Sequence, residues 1–390
     1  MTPKSAHVVS FNDVNRNNLV QMASHILDRV SQACFIAIDF EFSGLGEHHP
    51  KDMNHRYVAM KQTVEDHTIF SIGLSIVKKK EEEEKGHFYT CDNFNFLTLK
   101  QGKFTIDSNT GEFLVKHKFS FDRLFVDGIP FLPPSSKQQQ QPSTLVDVWK
   151  GIMQLMARRD IPLVIHHGLF DLMYLYHSFI GPLPKTLSGF LKEISNHFPS
   201  GIYDTKFLVE QGDDHQASFL GYVFAKYDRL RQNRFEDKST EAKPYFEIDV
   251  QAPIQLEQAK KSKKTEEEDG DDRPTKRQDV RKEPYCTQFA EHGYCKLGHD
   301  PHSKLHDIQI ILDHQMGPSI YPQVYSSSLD KDEPKTETRL EGAHASHFDA
   351  YMTGFTFCYL SHTMDPTELK NYKNKIKIRG MHVPLTFPLK

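Results

Sequence analysis

The chain has 390 residues, 38% of them hydrophobic and 28 of them Phe, with a formal net charge of −4. That suits two domains, or one large domain with insertions around a sizeable core, and the charge alone points to no partner because basic residues can still cluster locally. No apolar run approaches the length of a membrane span and Met1-Thr2-Pro3-Lys4 opens no signal peptide, which argues against a membrane or secreted protein. Of the five cysteines, Cys34, Cys91 and Cys358 stand in apolar surroundings, as reduced core thiols of an intracellular protein do.

Val8-Val9 reads as a short first strand, and Asn12 as the cap of a helix whose apolar residues Leu19, Met22, Ile26, Leu27 and Val30 keep helical spacing. In the stretch from Cys34 to Gly44, five apolar residues run into Asp39 and Glu41 and close on Ser43-Gly44, the pattern of a buried strand. Strand side chains alternate, so Asp39 and Glu41 project from one face. A divalent cation would relieve their repulsion, and hard oxygen ligands suit magnesium or manganese; a solvated strand end is the competing reading. After a loop with His48-His49, read as solvated, come a polar helix Met53 to Val64 carrying Arg56 and Tyr57, a second strand Thr68 to Val77, a charged hairpin tip Lys78 to Gly86, and a third strand opening at His87. Residues 92–132 are rich in Phe, with a helix near Phe119 to Phe125. Residues 133–142 form a low-complexity loop expected to be disordered, and Thr144 to Ala157 an amphipathic helix that buries Trp149.

Pro162 to Tyr176 reads as strand, Gly turn and helix. Asp171 falls in the first helical turn, beside the strand's carboxyl end, where ligands collect in open α/β sheets; an acid that only complements the helix dipole is the competing reading. Asp204, in Gly201 to Lys206, reads as a helix cap. Lys260 to Lys282 is a charged linker, and its basic clusters at 260–264 and 273–277 fit a bipartite nuclear-import signal as well as a solvated polyampholyte. Cys286, Cys295, His302 and His306 then make C-x8-C-x6-H-x3-H, a tetrahedral zinc set in a stretch too short for a core of its own, with His299 an alternative to His302. Phe289 and Tyr294, between the cysteines, are placed to stack on RNA bases. Asp349 opens an apolar helix running through Phe357 and Leu360, and His344 in the preceding loop suits proton abstraction from water at neutral pH. Lys373 to Ile378 and His382 to Leu389 read as strands. Together Asp39, Glu41, Asp171 and Asp349 suit a pair of magnesium ions, which activate water and stabilise the leaving oxygen of a phosphodiester.

Asp39-x-Glu41, Asp171 and His344-x4-Asp349 resemble the motifs of DEDDh 3′-to-5′ exonucleases, and Ala345 stands where the sister class carries Tyr. Asp39 to Leu45, Gly201 to Lys206 and Phe348 to Gly354 look like eukaryotic deadenylases. The likeness is strongest to their nuclear branch, which carries a zinc finger between the third acid and the final His/Asp motif; poly(A)-specific ribonucleases are more distant. Two positions depart from that pattern: Pro301 stands near the finger's expected third Cys, with His302 substituting, and His167 replaces the Asn after the motif-two His. The resemblance implies an RNase H-like α/β fold, a mixed sheet flanked by helices, with an inserted zinc-finger module. Its parts would be 1–255 nuclease, 256–282 charged linker, 283–310 finger, 311–338 polar linker and 339–390 nuclease. It implies a two-magnesium (or manganese) exoribonuclease acting in the nucleus on RNA with a 3′ oligo(A) tail, including small non-coding RNAs, and releasing 5′-AMP. Asp39, Glu41, Asp171 and Asp349 would hold the metals, and His344 would be the general base. A DNA exonuclease and a non-catalytic RNA-binding adaptor are the competing functions.

Overall fold

The computed structural model describes residues 7–46, 50–80, 86–136, 143–212, 217–236, 245–256, 284–300, 303–319, 325–329 and 345–388. The run 81–85, His48, His49, residues 137–142 and both basic clusters of the charged linker lie outside them.

Among the described residues, eight strands form the main sheet: β1 (Asn12–Val14), β2 (Phe35–Phe42), β3 (Ile69–Lys79), β4 (Gly86–Lys100), β5 (Ile129–Phe131), β6 (Leu163–Ile165), β7 (Ile202–Asp204) and β8 (Tyr245–Val250). The spatial order is β1-β4-β3-β2-β6-β7, with β5 and β8 also pairing with β4. β3 runs antiparallel to both β2 and β4, while β6 and β7 extend the other side in parallel with β2. The sheet is therefore mixed, as expected.

Two cores cover its two faces, and β2 divides its residues between them by alternation. Ile36, Ile38 and Phe40 join a core built with α1 (Leu19–Ser31), α2 (Met53–Asp66), α3 (Thr144–Arg159) and α4 (Leu169–Leu175). Trp149 of α3 lies inside it, stacked on Phe179 with centroids 5.3 Å apart. Phe35 and Ala37 face the other way. There they meet α5 (Leu220–Glu236) and the last long helix, α8 (Ser346–Thr363), with α6 (Thr287–His292) and α7 (Ile308–Met316) between those two in sequence. The side chains of Asp39 and Glu41 share that second face. α8 is apolar nearly all round and buried over most of its length, as a helix laid across the middle of a sheet must be. Each of its fully buried large side chains contributes about 1.5–3 kcal/mol of transfer free energy. No helix of the described residues is long and apolar enough to cross a membrane.

Three local expectations are corrected. Asn12 does not cap α1. It lies in β1, its amide donates to the Asn93 carbonyl (3.0 Å), and the helix begins at Leu19. Of the cysteines expected in the core, Cys91 and Cys358 are buried but Cys34, just before β2, is exposed; the third strand, left open-ended in the sequence, runs to Lys100, and a further helix spans Ser108–Lys116 ahead of Phe121–Asp127. The two C-terminal strands shrink to Lys375–Ile376 paired with Leu385–Thr386.

Candidate active site and Cys/His centre

β6 pairs with β2 only at Ile36 and Ala37 and then ends, leaving the rest of that β2 edge without a strand partner. Asp171 fills part of the gap: its Oδ1 accepts the Phe40 N–H at 3.1 Å, fastening the first turn of α4 beside Asp39. Asp349 arrives from the opposite direction, in the first turn of α8. The approach requires Gly73, which pairs with Asp39 in register. A Cβ there would lie 1.9 Å from the Ser346 carbonyl oxygen, so only glycine lets α8 start this close to the sheet. Hydroxyl contact between Ser71 and Ser346 secures the same junction.

Four half-buried carboxylates from β2, α4 and α8 therefore lie close enough for their charges to act on one another. Burial, then the negative charges of Asp349, Asp171 and Glu41, hold Asp39 well above the usual carboxylate range. Burial, with Asp349 and Asp171, does the same to Glu41. Burial pushes Asp171 up to about 7, against the pull of the Phe40 N–H. Carboxylates so close together hold protons tightly, and divalent cations would compete for the same oxygens.

This fixes the sign of a pH effect. Asp171 titrates near 4 in an unfolded chain and about 7 here, so above pH 4 the folded state increasingly holds protons that the unfolded state has released. Metal-free stability should fall as pH rises from 4 through 7, and magnesium should restore it. Thermal melts at pH 6 and pH 8, with magnesium and with chelator, check this: the magnesium-induced rise in Tm should be the larger at pH 8.

Asp204 is fully buried and serves structure. Its carboxylate accepts the backbone N–H of His167 (2.8 Å), Lys206 (3.0 Å) and Lys377 (2.8 Å), clamping the β6 turn, the next helix and the C-terminal segment together. Burial nonetheless raises its pKa to about 6. Asp204→Ala leaves three part-buried N–H donors without their acceptor and should cost about 3 kcal/mol, measurable by urea titration. His167 stands at φ 59°, the left-handed region that Asn, Asp and His enter most readily among residues with a side chain, which explains how His serves where the resembled family carries Asn. Burial also lowers its pKa to about 4. Neighbouring His166 meets the Thr205 hydroxyl at 2.9 Å, and that hydroxyl donates to the Ile165 carbonyl (3.1 Å), so His166 Nδ1 carries the proton of a neutral imidazole. His347 is turned away from the acids: its Nε2 lies 3.0 Å from the Ser327 hydroxyl and its ring packs edge-on against Phe11. His344 lies outside the described residues.

The second centre is made by Cys286, Cys295, His299 and His306, whose ligand atoms all lie within 4.8 Å of one another. The sulfurs are 3.7 Å apart, far from a disulfide, and Cys295 Sγ lies 3.5 Å from His299 Nδ1. A tetrahedral zinc with its usual bond lengths would set these separations at about 3.8 Å and 3.5 Å. Backbone N–H groups of Phe289 and Leu297 point at the two sulfurs at 3.4 and 3.3 Å, which suits thiolates. His302 lies outside the described residues, and the residue brought into the cluster is the alternative, His299.

The aromatic pair divides. Phe289 stacks on His306 (4.6 Å) and meets Phe219 edge-on, packing against a small core that α6 and α7 share with α5, so its ring serves the module's own packing. Tyr294 is 41% exposed. The expectations drawn from the sequence do not include Gly73, whose readable signal is a glycine inside an otherwise apolar strand.

A family profile described as CAF1 family ribonuclease matches residues 14–147 and 136–357. Curated relatives include the poly(A)-specific ribonuclease PNLDC1 of Mus musculus (25% identity over 165 residues, 39% of this chain and 31% of the relative). Others are the pre-piRNA 3′-exonuclease trimmer of Bombyx mori (20% over 309 residues, 50% and 57%) and the poly(A)-specific ribonuclease PARN of Homo sapiens (27% over 146 residues, 33% and 22%). The chain thus spans between about a fifth and a little over half the length of these relatives. Among solved structures, the RNase domain of yeast Pop2 is similar at 18% identity and TM-score 0.40, covering 56% of this chain and 74% of that one. S. pombe Pop2p in its Mg2+ and Mn2+ bound form is similar at 19% and TM-score 0.41, covering 56% and 82%.

Proposed function

The chain belongs to the CAF1 ribonuclease family, and from that premise we propose that it is a magnesium-dependent 3′-to-5′ exoribonuclease of the deadenylase kind. It would remove adenosines one at a time from RNA 3′ tails and release 5′-AMP. The carrying observation is the convergence of Asp39, Glu41, Asp171 and Asp349 from three elements far apart in sequence, with the pKa values of Asp39 and Glu41 raised by burial and by the neighbouring negative charges. The strand order, with β3 antiparallel in the middle, supports an RNase H-like sheet.

Carboxylate oxygens from four side chains brought together in this way fit two magnesium or manganese ions. When bound, such ions lower the pKa of an attacking water and stabilise the leaving oxygen. The chain's own residues do the rest. Asp39 and Glu41 present two carboxylates from a rigid strand, Asp171 is oriented by the Phe40 N–H, and Asp349 is set by the Gly73 junction. His344, which immediately precedes the Ala345 cap of α8, would take the proton from the attacking water. Timed digestion of RNAs that differ only in their 3′ tail base, with a deoxy-oligo(A) control and with magnesium or chelator, tests the reading. Shortening of the adenosine tail from its 3′ end, requiring magnesium, is expected; equal turnover of the deoxy tail would point to a DNA exonuclease instead.

Within the family we place the chain nearest the nuclear deadenylase called target of early growth response protein, on the strength of the Cys/His module inserted between two nuclease segments, 1–255 and 339–390. Nuclear import through the basic clusters of the 256–282 linker, and small non-coding RNAs as targets, belong to this reading. A tagged chain with both clusters neutralised that still accumulated in the nucleus would refute the import step. The module itself would hold one zinc on Cys286, Cys295, His299 and His306. Elemental analysis should find one zinc per chain, lost in Cys286→Ser/Cys295→Ser and kept in His302→Ala; the reverse for His302 would return it to the ligand set.

A further inference from the structure

We propose that Tyr294 of the Cys/His module and Arg379 of the C-terminal segment form one RNA-binding step, a stacking platform that holds the tail upstream of the bond being cut. This rests on the exoribonuclease reading and adds to it a route for the strand.

Three observations carry it. First, the side chains come from parts of the chain 85 positions apart in number yet meet in space: the Arg379 guanidinium lies 5.9 Å from the Tyr294 ring centroid, and the Lys296 ammonium 5.6 Å from it. His292 lies nearly parallel to the same ring, with centroids 5.6 Å apart. An exposed aromatic flanked by cations is what single-stranded RNA recognises, because bases stack on the ring while phosphates meet the charges. Second, among the described residues neither Arg379 nor Lys296 forms an ion pair, whereas Lys377 nearby is neutralised by Glu210. Third, Arg379 lies within electrostatic reach of the turn after β6. The charges of Lys206, Arg379 and Lys377 are all felt by His167, four residues before Asp171. The backbone holding Arg379 is fixed as well: its carbonyl accepts from Arg56 Nη1 at 2.8 Å, and Arg56 Nε donates to Pro50 at the end of the loop after β2. Arg56, which is buried, thus ties the Arg379 loop to α2 and to Pro50.

The geometry implies a length rule. A tail of about three nucleotides would engage the carboxylates alone, and a tail of about fifteen would also cover the platform, within the site sizes usual for single-strand grooves. On the full-length chain, Tyr294→Ala should raise KM about tenfold for the long tail, with Tyr294→Phe restoring most of it. Arg379→Gln should raise KM similarly and lower the slope of log KM against log salt by about 0.7, the signature of one lost phosphate contact on a single strand. For the short tail the KM change should be no more than about twofold. Zinc content, measured in parallel, should be unchanged.

Variants that keep their zinc and show wild-type KM on every tail would overturn the proposal. So would a loss of equal size on short and long tails, which would mean that the substitutions disturb the carboxylates indirectly. Fluorescence anisotropy of a labelled oligo(A) in chelator separates this from the broader reading. A chain that binds the long tail through Tyr294 and Arg379 but shortens no RNA would keep the platform and remove the exonuclease assignment.

Discussion

Asp39→Asn should abolish RNA shortening and, in the same protein, raise the melting temperature of the metal-free form. Both effects follow from one charge. Asp39 is raised well above the usual carboxylate range by burial and then by Asp349, Asp171 and Glu41. At pH 8 an unfolded Asp39 is ionised in water at no cost, while the folded one either holds a proton or bears its charge among three others. An amide has the same shape and no charge, so the folded state gains relative to the unfolded one. Each kcal/mol released should raise Tm by about 2–4 °C in a domain of this size. Activity moves the other way. A two-ion clamp supplies several kcal/mol of transition-state stabilisation, and losing about 4 kcal/mol of it slows the reaction about 10³-fold. Paired melts and initial rates read both. A variant that lost activity and also stability would mean that Asp39 serves the fold rather than the site.

Gly73→Ala should be nearly as damaging, although Gly73 carries no chemistry. Its added Cβ would lie 1.9 Å from the Ser346 oxygen, 2.3 Å from the Ser346 carbonyl carbon and 2.7 Å from the His347 Cα. All three are backbone atoms, so no side chain can rotate away and the first turn of α8 must retreat. Asp349 sits on that turn, and a shift of about 1 Å is enough to cost about 10²-fold in rate. Overpacking should destabilise the fold by about 1–3 kcal/mol in addition. Gly354→Ala is the internal control on the same helix. Its Cβ would meet Ala37 at 3.5 Å, an ordinary contact, and alanine is the better helix former by about 1 kcal/mol. Rate and urea midpoint should therefore fall for Gly73→Ala and hold or rise for Gly354→Ala; similar losses in both would show that α8 tolerates no added carbon anywhere.

The strand and helix that carry the acids were legible because burial wrote them plainly. Period-two alternation put Asp39 and Glu41 on one face, and β2 sorts Ile36, Ile38 and Phe40 from Phe35 and Ala37 accordingly. The full length of β4 was not legible. Its centre reads Asp92-Asn93-Phe94-Asn95, polar enough to suggest a loop, yet Asn93 is buried because its amide oxygen takes the Ser75 hydroxyl (2.6 Å) and its nitrogen reaches the Ser10 carbonyl (3.3 Å). Such compensation is tertiary and leaves no local mark. Asn12 misled for a related reason: a residue that often caps helices is here spent on a strand-to-strand bond. Spacing also could not choose between His299 and His302. Ligand choice depends on how the short chain folds over the two sulfurs, and many histidines were available to fit a pattern.

α8 lies across strands that precede it by more than 260 positions, and it brings the fourth carboxylate with it. While the chain is still emerging from the ribosome, β2 and β3 can pair early, but the acid cluster stays one member short until residues near 350 have been made. Docking this late helix closes very long loops, a slow event for any polypeptide. The four carboxylates therefore come together only once α8 has docked, whatever the order in which the earlier strands pair.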